Sequence, residues 1–362
     1  MTRVRFILAL AAAATLAGVC AAKVPESAFT KDPYPAEEGP IQVFLLAGQS
    51  NMQGHASLRT VEYLAYNKET APEYEHLKDR MGGWVERRDV WVWTTDGERA
   101  GYLKPGYGAN EWKIGPELGF GWTVGERLKK QVLLLKTCWG GKSVKRDFLS
   151  PSSGMPADEV LQEELEKARK KKPETTLDEI KDRYGFYYRK MIDRTRDVLG
   201  RLPELFPERK RKDYTYELAG FVFFQGWNDM VDGRQRGEQY AQYGPRLATM
   251  VRDLRKDLGA PNLPAVIGEL GAGGPGKHPE FSAAQKAAAD ALDRAAFVET
   301  ARFWEPDVEK MVSEGVWKGP EWPRFYNVGS EKGYHYLGSG RILYRIGAAL
   351  GDGMLNLLEE KP

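Results

Sequence analysis

Ser50 lies in Gly48-Gln49-Ser50-Asn51-Met52, directly after the apolar run from Gln42 to Ala47. A serine hydroxyl at the carboxyl end of a strand is placed to attack a carbonyl. The backbone N–H groups of the turn that follows can then hold the developing oxyanion. The same residues would also serve as an ordinary cap on the next helix. They do not form the Gly-x-Ser-x-Gly elbow of α/β-hydrolases, because Met52 stands where the last glycine belongs.

A serine nucleophile needs a base, and the chain has only four histidines. His76 sits in a strongly charged stretch and His278 in the Gly/Pro-rich loop from Gly271 to Pro279, so both read as surface residues. His55 is close enough to Ser50 to line a site, but too local to be an independently positioned base. His335, in Gly333-Tyr334-His335-Tyr336-Leu337-Gly338, opens the last helix from a distant part of the chain. That is where a base presented to Ser50 would come from; the plain alternative for any one histidine is a structural hydrogen bond.

Two more apolar runs end in polar chemistry. Cys138-Trp139-Gly140-Gly141-Lys142-Ser143 has paired glycines, which permit a tight turn with exposed N–H groups. In Phe224-Gln225-Gly226-Trp227-Asn228-Asp229 a carboxamide could donate its N–H₂ group to an oxyanion. An ordinary turn and a capping Asn/Asp pair would account for the same residues. Trp139 and Trp227 could stack on the apolar C–H face of a sugar, or pack in the core as tryptophan commonly does.

These segments need a scaffold that brings strand ends together. Strand-like runs occur at Gln42 to Ala47, Val90 to Trp93, Gln131 to Thr137, Leu218 to Phe224, Pro264 to Ile267 and Phe297 to Phe303. Helical patterns lie between them at Pro116 to Lys130, Arg183 to Leu202, Glu238 to Leu258 and Phe281 to Ala296, with a last helix from about Ser339 to Leu358. Near-continuous apolar strands alternating with helices predict a doubly wound α/β domain with its site at the carboxyl ends of the strands. The stretch at about 150–183 is dense in charge and predicts an exposed helical insertion between sheet units.

The 362 residues suffice for a continuous core, and a net charge of +2 gives no global field to favour nucleic acid. The short basic run Arg209-Lys210-Arg211-Lys212 reads as a solvated turn. Arg3 and Arg5, the apolar stretch Phe6 to Val19 and the small residues Cys20-Ala21-Ala22 have the form of a signal peptide over 1–22, followed by a leader at 23–40. The expected location is therefore outside the cytoplasm, secreted or periplasmic, with no stable membrane insertion once the signal is removed. A lipoprotein acylated at Cys20 is the alternative, and Val19 fits it poorly. Cys138 is the one other cysteine, so it has no internal disulfide partner, and its place at a strand end predicts burial. No Cys/His cluster has metal-ligand spacing, and neither metal nor cofactor is expected.

In combination, Gly-Gln-Ser-Asn-Met, Gly-Gly-x-Ser, Gln-Gly-x-Asn-Asp and a histidine before the last helix resemble the SGNH (GDSL-like) hydrolase superfamily. Gly48 to Gly54 and Gly115-Pro116-Glu117-Leu118-Gly119-Phe120-Gly121 are similar to its sialate O-acetylesterase-type family, carbohydrate esterase family six. The resemblance runs from about Ile41 to Leu350, within a hydrolase domain at 41–358. It implies a three-layer α/β/α sandwich with a central, mostly parallel sheet, and removal of O-acetyl groups from carbohydrate. Carried over by position, it makes Ser50 the nucleophile and an oxyanion donor through its own N–H. Gly141 N–H and the Asn228 side chain become the further donors and His335 the base, with Gln49, Asn51, Trp139, Gln225 and Trp227 expected to face the substrate.

The sequence departs from the family in one place that bears on mechanism. The family's acid stands three residues before the histidine, and here that position is Lys332. Glu331 is the nearest carboxylate, Glu269 is a second candidate at a strand end, and a backbone carbonyl would leave a Ser-His dyad. Lys332 also keeps open a catalytically silent carbohydrate-binding protein derived from the esterase. An esterase or thioesterase acting on lipids is a further alternative, without an amphipathic lid to support it.

Overall fold

The computed structural model describes Tyr34 and residues 36–360, except 95–98, 208–213 and 232–235. The expected signal peptide with Cys20, most of the leader, and the basic run Arg209–Lys212 lie outside the described residues.

Among the described residues nine strands form, in chain order β1 (Glu37–Gly48), β2 (Ala56–Ser57), β3 (Arg87–Thr94), β4 (Ala100–Leu103), β5 (Lys113–Ile114), β6 (Lys130–Cys138), β7 (Tyr216–Phe224), β8 (Ala265–Gly268) and β9 (Ala295–Val298). Seven make the central sheet in the order β4-β3-β6-β1-β7-β8-β9, parallel throughout except for the edge pair β3–β4. β2 and β5 form a separate short antiparallel ladder that pairs Ser57 with Lys113.

β1 shows why helices must cover both faces. Its residues Ile41, Val43, Leu45 and Ala47 enter one apolar core, while Phe44 and Leu46 enter the other. The Phe44 side is closed by helices carrying Leu118 and Phe120 (Pro116–Leu128) and Ile342 and Leu350 (Gly340–Glu359). The opposite side is closed by helices carrying Met191 (Phe186–Gly200), Leu247 (Arg236–Asp257) and Phe281 (Pro279–Asp290). The result is an α/β/α sandwich. Cys138, at the end of β6, is buried in the core on the Phe44 side.

The residues at 150–183 form two helices, Asp158–Arg169 and Leu177–Arg183, around a small core of Leu149, Leu161, Leu165, Ile180 and Tyr184. The last strand differs from the sequence expectation. The helix expected over Phe281 to Ala296 stops at Asp290, and Ala295 and Ala296 instead pair with Ala265 and Val266. Sheet pairing here overrides the helix propensity of alanine. The expected strand at Phe297 to Phe303 ends at Val298 and gives way to a short turn of 3₁₀ helix at Ala301–Phe303. Among the described residues no helix is long and apolar enough to cross a membrane.

The order of the sheet locates the site. From β1 the chain builds outward and back to β6 on one side, then to β7, β8 and β9 on the other. The connections leaving β1 and its neighbours therefore diverge at their carboxyl ends and open a crevice there.

Candidate active site

The turn carrying Ser50 is set by a close approach between strands. Gly48 has φ +150°, and a Cβ on it would overlap the carbonyl oxygen of Phe224 on β7. Only glycine therefore fits the last residue of β1. The chain then enters one helical turn, α1 (Ser50–Gln53), in which the N–H groups of Met52 and Gln53 both donate to Gln49 O at 2.9 Å. A buried ion pair anchors its far end. Lys136 Nζ, inside the apolar run of β6, donates to Gln53 O (2.8 Å), Tyr107 O (2.7 Å) and Glu117 Oε2 (2.9 Å). Glu117 Oε1 accepts from Gly115 N at 2.9 Å, so both charges are fully satisfied out of water.

Gln49 itself faces inward. It is 2 % exposed, and its Oε1 accepts from Gln225 Nε2 (3.2 Å), Gly226 N (3.2 Å) and Asn228 N (3.3 Å). Gln225 is also sealed inside. Its Nε2 group reaches Lys142 O at 2.9 Å and Asp229 Oδ2 at 2.7 Å, and its Oε1 accepts from Tyr243 Oη at 3.0 Å. The expectation that Gln225 would face substrate is thus corrected: protein groups consume its hydrogen-bonding capacity. Asp229, 1 % exposed, accepts from Val144 N (2.8 Å) and Lys145 N (3.2 Å), joining the end of β7 to the loop after β6. Burial pushes its carboxyl above the usual range, against the pull of those N–H donors.

These anchors bring three strand ends together. A Cβ at Gly140 would lie 3.9 Å from Ser50 Cβ, and one at Gly141 would lie 4.0 Å from Asn228 Nδ2. Gly141 has φ +70°, which a larger residue would adopt only with strain. The turn of two glycines, the serine and the carboxamide are therefore neighbours.

His335 arrives from the opposite rim on an unusual backbone. His335, Tyr336 and Leu337 all have left-handed φ, at +51°, +55° and +60°. Such a run is costly for side-chain-bearing residues and must be held from outside. Tyr336, 1 % exposed, accepts from Gly271 N through Oη at 2.9 Å. Leu337 packs with Val308 and Phe325, and its carbonyl accepts from the N–H groups of Ser330 and Glu331 at 3.0 Å each.

The neighbours of His335 distinguish the two candidate acids. Glu331 Oε2 lies 4.0 Å from His335 Nδ1, an ion-pair distance beyond hydrogen-bond reach, and Nδ1 is buried with no hydrogen-bond partner. No backbone carbonyl bonds Nδ1 either. Glu269 is occupied elsewhere, accepting from Ser282 Oγ (2.7 Å) and from Thr300 N and Ala301 N (2.9 Å each). Lys332 turns away, its ammonium 3.4 Å from the centre of the Trp317 ring. Burial depresses the pKa of His335, Glu331 opposes that, and Lys113 adds to it.

Sequence reasoning set His55 aside as a base, yet it stacks face to face on His335, ring centres 4.0 Å apart and planes 13° from parallel. Lys113 Nζ bonds His55 Nδ1 at 3.0 Å and Glu331 Oε1 at 3.2 Å. His55, Glu331 and His335 also place ligand atoms within 4.8 Å of one another, close enough to consider a metal. They fit one poorly, because Lys113 already brings a positive charge to His55 and Glu331, and near-parallel imidazoles aim their lone pairs side by side. His76, expected at the surface, is half-buried, its Nε2 3.0 Å from Tyr344 Oη and its ring edge-on to Trp122.

Ser50 and His335 line one small cleft, together with Gln49, Asn51, Trp227, Ala272, Trp304, Gly333, Tyr334 and Tyr336. Trp227 meets Tyr334 edge to face at 6.1 Å. Trp139 does not line it but packs against Phe148 and Tyr187 on the helical side, which favours the packing alternative for that residue.

Comparison with known proteins adds three findings. Residues 40–307 match the family described as carbohydrate esterase, sialic acid-specific acetylesterase. No curated protein matches the sequence. Among solved structures, a protein from Arabidopsis thaliana superposes with a TM-score of 0.51 at 16 % identity, over 88 % of this chain and 99 % of that one. NanS gives 0.49 at 17 % identity, over 89 % and 98 % of the two chains. A carbohydrate acetylesterase from Xanthomonas citri gives 0.41 at 16 % identity, over 71 % of this chain and 49 % of the other.

Proposed function

The chain belongs to the sialic acid-specific acetylesterase family of carbohydrate esterases, and from that premise we propose that it is an exported serine esterase that removes O-acetyl groups from carbohydrate through an acyl-enzyme on Ser50. Membership makes it a carboxylic ester hydrolase with acetylated carbohydrate as its class of substrate. Export rests on the signal-like residues 1–22.

The observation that carries the mechanism is the shared cleft, where Ser50 from the centre of the sheet and His335 from the start of the last helix face the same space. His335 takes the Ser50 hydroxyl proton through Nε2, the ring nitrogen opposite the Glu331 side, as Oγ attacks the ester carbonyl. The oxyanion is held by the N–H groups of Ser50 and Gly141 and by Asn228 Nδ2. The protonated imidazole then gives its proton to the departing sugar hydroxyl. Water, deprotonated by the same nitrogen, attacks the acetyl-serine and releases acetate. Glu331 steadies the imidazolium at ion-pair range, in the role the family gives to its aspartate. The Trp227–Tyr334 pair offers an aromatic wall for the sugar ring.

Hydrolysis of p-nitrophenyl acetate by the mature protein, compared with Ser50→Ala, tests this reading. Turnover lost in the variant supports the acyl-enzyme, and acetylated glycans can then be compared as substrates. Equal rates in both proteins overturn it and leave a carbohydrate-binding role.

A further inference from the structure

We propose that Lys113 and His55 are positioning residues for His335, Lys113 tethering Glu331 beside the imidazole while His55 clamps the face of its ring. The inference rests on the reading of His335 as the base. It is carried by the convergence of residues from three distant segments. Lys113 stands on β5, paired with Ser57, and this short ladder brings it to His55 just ahead of β2. Glu331 and His335 belong to the loop before the last helix.

The hydrogen bonds fix what each group can do. An ammonium only donates, so His55 Nδ1 accepts, and His55 is neutral with its proton on Nε2. Burial, with the charges of His335, Lys113 and Lys136, pushes its pKa down to about 3, which keeps that state throughout the working range of an esterase. A neutral ring lying flat on His335 restricts rotation of the base and keeps water from that face. Glu331 spends one oxygen on Lys113 at 3.2 Å, and its other oxygen stops 4.0 Å short of His335 Nδ1. The tether thus sets the distance at which the carboxylate acts. His335 is faced by His55 from the segment after α1, by Lys113 from β5, and by Glu331 and Tyr334 from its own loop. Without the ammonium, Glu331 is free to close on Nδ1, and a positive charge that opposes protonation is gone. Both changes make the imidazole more basic.

The test is the pH dependence of kcat/KM for p-nitrophenyl acetate with wild type, Lys113→Met and Lys113→Arg. An NMR titration of the His335 ring in the Ser50→Ala background runs beside it. The expected result is an acid limb, and a His335 titration, moved to higher pH by about one unit in Lys113→Met and restored in Lys113→Arg. Lys113→Gln gives the same shift should the methionine variant fail to fold. His55→Ala is expected to lower kcat about tenfold or more with KM little changed, as for a loss of orientation. An acid limb and ring titration in Lys113→Met identical to wild type overturn the inference, even with lower thermal stability. If wild type has no Ser50-dependent turnover, the assignment of the base fails instead. The ring titration then still decides whether Lys113 acts on His335.

Discussion

Gln49 Nε2 donates to Asn228 Oδ1 at 3.2 Å across 179 residues of sequence, and that bond dictates which way the Asn228 amide faces. The logic is one of donors and acceptors. Gln49 Oε1 sits among two backbone N–H groups, which only donate, so the other end of Gln49 must be its N–H₂ group. Asn228 meets that donor with its oxygen, which leaves Nδ2 on the Gly141 side, facing the proposed oxyanion position.

Asn228→Ala is accordingly expected to lower kcat by about 10²–10³-fold, the usual cost of one oxyanion donor, and to lower Tm as well, because buried Gln49 Nε2 loses its acceptor. Gln49→Leu should lower kcat in the same direction and also lower Tm, because it strands buried N–H groups. Steady-state kinetics together with circular-dichroism melts check both. A Gln49→Leu enzyme with wild-type kcat would show that Asn228 does not depend on it.

The pH profile follows from the surroundings of His335. Burial lowers its pKa, so the base stays unprotonated below the ordinary histidine value, and the acid limb of kcat/KM should fall below about pH 6.5. Glu331 acts in the opposite sense, and Glu331→Gln should move the limb to still lower pH. The accompanying loss of rate should be about ten- to a hundredfold, less than the four orders seen where a triad acid is directly hydrogen-bonded. An upward shift in Glu331→Gln would contradict the assignment.

His55 makes the fold sensitive to acid. Its pKa is pushed down to about 3 in the folded chain, whereas an unfolded histidine titrates near 6.5. Between those values the unfolded chain binds the proton and the folded one does not, so this contribution to stability declines as pH falls from about 6.5 toward 3. Melting temperatures measured across that window should drop less steeply for His55→Phe than for wild type.

The Glu117–Lys136 pair supports the turn that carries Ser50. Removing one partner leaves an unpaired charge in the core, so Glu117→Leu or Lys136→Met should each cost about 3–5 kcal/mol. The double replacement should cost less than the sum of the two. Denaturant unfolding of all three variants measures the coupling, and strict additivity would deny it.

The sequence makes Ser50, Gly141 and Asn228 legible for a common reason. Each follows an apolar run, and strand order then brings those ends together without any detail of side-chain direction. Glu331 was within reach because it is local to His335. Gln49 and Gln225 show where such reading stops, since an amide has the same chemistry whether its partner is sugar or protein. Lys136, a cation that follows Val132 to Leu135 in β6, signals an internal partner without naming Glu117. The grouping of His55 and Lys113 with His335 depends on the two-residue ladder of β2 and β5, too short to leave a pattern. Likewise Ala295 and Ala296 read as helix until β8 recruits them.

The strand that begins the sheet in sequence ends in its middle, between β6 and β7. A nascent or partly unfolded chain can therefore collapse, form helices and pair β1 with β6 while its serine still lacks the carboxamide brought by β7. With Asn228 as an oxyanion donor, a chain without β7 holds its serine but not that donor, so full activity during refolding is expected only after β7 has joined β1.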